Sequence, residues 1–134
     1  MPGEAAGLVT ASSALAPEET VERLESAIRA RGLTVFAKID HSGGARDAGL
    51  VLRFTQLLIF GSPKGGTPLM QSRQTIGIDL PLRLLVWADE GGGTRVSYAD
   101  PASLAARHGI ADRADTVAAL SRLLGALAKT VASR

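Results

Sequence analysis

Three side chains stand where chemistry is commonly done: His41, Lys64 and Asp79. His41 follows Asp40 at the end of a strand-like run, and an imidazole is the group best suited to acid–base work near neutral pH. Adjacent strand residues face opposite ways, so Asp40 and His41 form no dyad by adjacency alone, and a solvent-facing turn histidine is the plainer reading. Lys64 lies in Gly61-Ser62-Pro63-Lys64-Gly65-Gly66-Thr67, directly after an apolar run. A nucleotide loop needs Lys immediately after the second Gly and then Ser or Thr; here Thr67 follows Gly66, and Pro63 removes an N–H. The segment reads as a structural turn, with Gly supplying positive φ and Pro fixing the bend. Its sharper reading is a small-anion site made by Lys64 and free loop amides. Asp79, ahead of Leu80-Pro81, could pair with Lys64, cap a loop amide or face a ligand; the structural role is favoured.

Other chemistries lack their residues. There is no Cys, so disulfides, thiol nucleophiles and Cys-based metal sites are excluded. A metal at His41 would need carboxylates such as Asp40, Asp79 or Asp89, and the sequence has no HxH, HxxxH or acidic cluster, so no metal and no cofactor are expected. Ser62 is the one serine in a strand-to-loop position, but no G-x-S-x-G surrounds it and Pro63 follows it. His108, before Gly109, reads as a helix C-terminal cap.

The 134 residues carry 15 basic and 13 acidic side chains, a formal charge of +2. The basic residues are scattered, and only three Phe, one Tyr and one Trp are present, which argues against nucleic-acid binding by a basic face or by base stacking. With 46% hydrophobic residues a core needs no staples. No window approaches the ~20 apolar residues of a membrane span. Ala14-Leu15-Ala16 looks like a cleavage site, but Glu4 occupies the region that should be basic and Ser12-Ser13 interrupt the apolar stretch. The protein is expected to be cytoplasmic.

These groups must be positioned by a sheet and a few helices. Weak alternation from Leu8 to Leu15 predicts a first strand. Pro17 with Glu18, Glu19 and Glu22 opens a helix that Gly32 ends. Leu33, Val35, Ala37 and Ile39 alternate on one face of a strand, followed by a turn at His41-Ser42-Gly43-Gly44 and one helical turn over 45–48. Thr55–Phe60, apolar on both faces, is placed centrally. A loop follows, with a short helix near Pro68–Ser72. Leu82–Ala88 and Thr94–Ala99 pair through an Asp89–Gly93 hairpin, with Leu85 and Trp87 on one face and Leu82, Leu84 and Val86 on the other. Asp100 caps a short helix to Arg107. The last helix, 112–132, carries Val117, Leu120, Leu124, Leu127 and Val131 as a seam that packs on the sheet, or alternatively on a second subunit.

At Ile39-Asp40-His41, Leu58–Lys64, Gly66–Met70, Gly77–Leu82 and Tyr98–Pro101 the chain resembles the prokaryotic domain-of-unknown-function family 302. The resemblance covers roughly Leu8 to the last helix, with Ser62 where the family often has Asn and Arg83 where Lys is frequent. It implies a small α+β domain that tends to pair as a dimer. No established activity comes with the family, so no catalytic residue is carried over. It marks the Asp40-His41 turn, the Lys64 loop and the Asp79-Leu80-Pro81 turn as family features.

The expected architecture is one two-layer α+β domain over 8–134 after a flexible segment 1–7. A mixed, mostly antiparallel sheet of about five strands carries two main helices on one face. The expected function is a non-enzymatic homodimeric module binding a small, anionic ligand, with His41, Lys64 and Asp79 at the pocket rim and neither nucleic acid nor membrane as partner. Two alternatives stand beside it: an enzyme using His41 as acid or base with Lys64 holding an anionic substrate, and a protein-interaction scaffold.

Overall fold

The structure, a computed structural model, describes residues 5–134; four residues of the expected flexible segment 1–7 lie outside the described residues. Among the described residues five strands form one sheet in the order β1-β5-β4-β3-β2. They are β1 (Leu8–Ser13), β2 (Thr34–Asp40), β3 (Thr55–Gly61), β4 (Leu82–Ala88) and β5 (Thr94–Ala99). Every pairing is antiparallel, so the sheet is not mixed. β3 is an interior strand, but the middle one is β4. The helices are α1 (Pro17–Ala30), α2 (His41–Asp47), α3 (Pro63–Ser72), α4 (Pro101–Arg107) and α5 (Ala114–Lys129), with a 3-10 turn at Gln74–Ile78.

Alternation explains the two faces. Leu58 and Phe60 of β3, Leu84 and Val86 of β4 and Val96 of β5 point to one side and are fully buried or nearly so. There they meet Leu24 and Ile28 of α1 and Leu120, Leu124 and Leu127 of α5 in one hydrophobic cluster. The predicted seam of the last helix, with Val131 just beyond the end of α5, is therefore core, not a contact held free for a second subunit. Leu57, Ile59, Leu85 and Trp87 project from the opposite face, half-buried and outside that cluster.

Three local expectations fail for identifiable reasons. In β2 the pairing shifts between Val35 and Ala37, so Val35 shares a face with Phe60 while Ala37 and Ile39 share the other with Ile59 and Leu57. The four residues do not line one face, because a bulge at Phe36 inserts an extra residue and flips the alternation. The predicted turn at His41 is already α2: the Asp40 carboxylate accepts from the Gly43 N–H at 2.9 Å and caps the helix that the Gly-Gly pair disguised. Gly43 and then the Ser42 hydroxyl hold the Asp40 carboxyl below its ordinary pKa. Finally, α3 begins at Pro63, the favoured first helical position, and runs through Gly65, Gly66 and Pro68. Neither glycine has a positive φ, so the Lys64 segment is a helix start, not a turn.

Candidate functional site

β3 ends at Gly61, Ser62 is extended, and α3 begins at Pro63. The glycines of α3 serve close approach. A Cβ on Gly65 would stand 3.4 Å from Leu120 Cδ2, and one on Gly66 would stand 3.5 Å from Leu80 Cδ1 and 3.7 Å from Met70 Cε. Between α3 and its neighbours a groove of about 320 Å³ remains open. Gly65, Gly66 and Met70 of α3 line it together with Leu80, Pro81 and Leu82, Leu33 and Phe36, and Leu120 and Leu123 of α5. Ser62 and Thr67 are its only hydroxyl-bearing lining residues, and no charged side chain lines it. Such a cavity suits a small apolar body with few polar contacts.

The three residues singled out from the sequence do not share this site. Asp40 pairs with Gln56, so His41 follows at the Thr55 end of β3, where the Ser42 hydroxyl accepts from the Thr55 N–H at 3.2 Å. Lys64 lies beyond Gly61, at the other end of a seven-residue strand. A strand of that length spans roughly 20 Å, so His41 and Lys64 cannot act on one small substrate. Both are exposed. Lys64 makes no ion pair among the described residues and stands between the groove residues Pro63 and Gly65, at the rim rather than in the lining.

Asp79 is at the Lys64 end of the sheet but is committed elsewhere. Its carboxylate accepts from Arg107 Nη1 at 3.1 and 3.2 Å and lies 2.6 Å from His108 Nε2. His108 Nδ1 is in turn 2.9 Å from the Thr75 hydroxyl. The structure thus makes His108 more than the cap of α4. Its backbone does end that helix, donating to Leu104 O at 3.2 Å, while its ring joins two segments of the preceding chain. Sequence reasoning missed this cluster because Asp79 and His108 are 29 residues apart and meet only through the β4–β5 hairpin and α4. A small cavity of about 100 Å³ lies beside Asp79 against Leu104 and Leu124. Among the described residues no group of three or more His, Asp or Glu side chains could hold a metal ion.

The model of the family described as "Domain of unknown function DUF302" matches residues 9–129. A crystal structure described as an uncharacterized conserved protein DUF302 from Bacillus stearothermophilus superposes with a TM-score of 0.83 at 22% identity, covering 95% of this chain and 99% of that one. It shares the fold. Among curated proteins, "Fluoride-specific ion channel FluC 1" of Brucella suis biovar 1 is 47% identical over 104 residues, which is 78% of this chain and 41% of that protein. "Fluoride-specific ion channel FluC 1" of Brucella abortus biovar 1 matches at 47% over 104 residues, 38% of its length. The chain thus spans about two-fifths of the curated relatives it matches. No helix of the described residues is long and apolar enough to cross a membrane.

Proposed function

This chain belongs to the DUF302 family, and from that premise and its groove we propose a homodimeric cytoplasmic module that holds a small, mainly apolar ligand with an anionic end. The apolar groove between α3, Leu80–Leu82 and α5 carries the proposal. A water-sized group occupies about 30 Å³, so the groove has room for roughly ten heavy atoms. Lys64 and the start of α3 border it, and they favour a carboxylate over a neutral or cationic head. The enzyme reading built on His41 and Lys64 loses its support, since the two residues lie at opposite ends of β3. A thermal-shift series of carboxylates with increasing chain length tests the proposal, because a ligand of the native state raises its melting point. The hydrocarbon tail of decanoate fills about that room in the groove while its carboxylate stays at the rim, so the shift should peak near decanoate. Lys64→Ala should leave the unliganded melting point unchanged and weaken decanoate by about 0.5–1 kcal/mol, the size of an exposed charge contact, without affecting decanol.

The dimer is supported by the second face of the sheet. Leu57, Ile59, Leu85 and Trp87 sit on adjacent interior strands outside the core, flanked by the exposed Ile39 and Leu8. Pairing of this face with its copy would remove the patch from water. Leu57→Glu should convert a dimer to a folded monomer in light scattering. A monomer mass for the unmodified protein at micromolar concentration contradicts the dimer.

A second reading comes from the Brucella relatives named as fluoride channels. With two-fifths of their length matched and no membrane-crossing helix among the described residues, the shared part reads as an appended domain outside the membrane. Their ion pathway then belongs to the remainder, and this chain to the same kind of accessory module.

A further inference from the structure

Thr75, His108 and Asp79 form a directed chain of hydrogen bonds. An ionised carboxylate only accepts, and a neutral imidazole offers one N–H and one lone pair. Asp79 is paired with Arg107, so at 2.6 Å the His108 Nε2–H donates to Asp79 Oδ2. In the neutral ring the lone pair is then left on Nδ1, 2.9 Å from Thr75 Oγ1, where it accepts from the threonine hydroxyl. Hydroxyl, imidazole and carboxylate in that order make up the arrangement that activates an alcohol as a nucleophile. The imidazole side chain is 9% exposed, while Thr75, on the 3-10 turn, is open to solvent and reachable by a small electrophile.

We propose that Thr75 is an acyl-acceptor site for activated esters and thioesters. Thr75 Oγ1 attacks the acyl carbonyl and forms a C–O bond. The bond to the leaving alcohol or thiol breaks with its electron pair. The hydroxyl proton passes to His108 Nδ1 and from there to the leaving group. The products are an acyl-threonine and a free alcohol or thiol, with no change of oxidation state. Asp79 and Arg107 are positioning residues: they fix the tautomer and orientation of the ring. This site does not depend on the groove reading, since Thr75 does not line the groove.

The test is incubation of the whole chain with p-nitrophenyl acetate, followed by intact mass and peptide mapping. One acetyl group on Thr75 is expected. Thr75→Ser should retain it and Thr75→Val should lose it. His108→Gln should slow labelling about a hundredfold, the usual size of a general-base contribution. Asp79→Asn should change the pH profile of the labelling rate, which loss of a merely structural bond would leave in place. The proposal is overturned if no adduct forms, if acetyl is found only on other residues such as Lys64, or if folded Thr75→Val or His108→Gln is labelled at the unmodified rate.

Discussion

Phe60→Ala is expected to destabilise the fold by about 3–5 kcal/mol, the cost of removing a large buried aromatic and leaving a cavity. Phe60 is fully buried on β3, opposite Val35 of β2 and Leu82 of β4 on the same inner face. Small domains have only about 5–15 kcal/mol of stability, so a loss of this size removes a large share of it. Urea denaturation followed by circular dichroism checks it. The midpoint should fall steeply with an unchanged slope. A change below about 1 kcal/mol would mean that the sheet's inner face is not where the fold's stability resides.

The second large effect concerns binding. Gly66→Leu should abolish decanoate binding, weakening it by about a hundredfold or more, or about 3 kcal/mol. The helix itself accepts a Cβ at this position, since its nearest neighbours would be the side-chain ends of Leu80 and Met70 at ordinary contact distance. A helix also gains from losing a glycine. The added isobutyl group has nowhere to go but the groove. Gly66→Ala, which adds only the Cβ, should retain stability and weaken binding far less. Isothermal titration of both variants separates a filled groove from a disturbed helix. Equal affinity of Gly66→Leu and the unmodified protein would show that any ligand sits elsewhere.

Where one physical signal dominated a segment, the sequence was enough. Pro17 with its acidic first turn announced α1, and the Asp100-Pro101 cap announced α4. The two-residue period of Leu82, Leu84 and Val86 assigned the buried face of β4 correctly. Where two signals competed, the local one misled. Glycines and prolines in 61–68 pointed to a loop, yet the segment is helical, with Leu69 buried in the core and Gly65 and Gly66 leaving room only for a close approach to Leu120 and Leu80. The bulge at Phe36 left no mark in composition, because a bulge is a property of the pairing between strands. The site was legible in its neighbourhood but not in its chemistry. The Lys64 segment does border the groove, but the groove is apolar, and its lining includes Leu33, Phe36 and Leu123, brought together only by the fold. His41 looked suited to a site by its residue type, and strand length separates it from the other two. Asp79 reads from the sequence as structural first and as a ligand contact second, and the partners that hold it, Arg107 and His108, are remote in the chain.

The groove as a ligand site is tested most directly by a methyl-detected nuclear magnetic resonance titration of the unmodified protein with decanoate. Saturable shifts should be largest for the methyl groups of Met70, Leu80, Leu120 and Leu123, with Leu57, Ile59 and Leu85 on the other sheet face unmoved. Shifts that fail to saturate, or that centre on Leu57, Ile59 and Leu85, would contradict it.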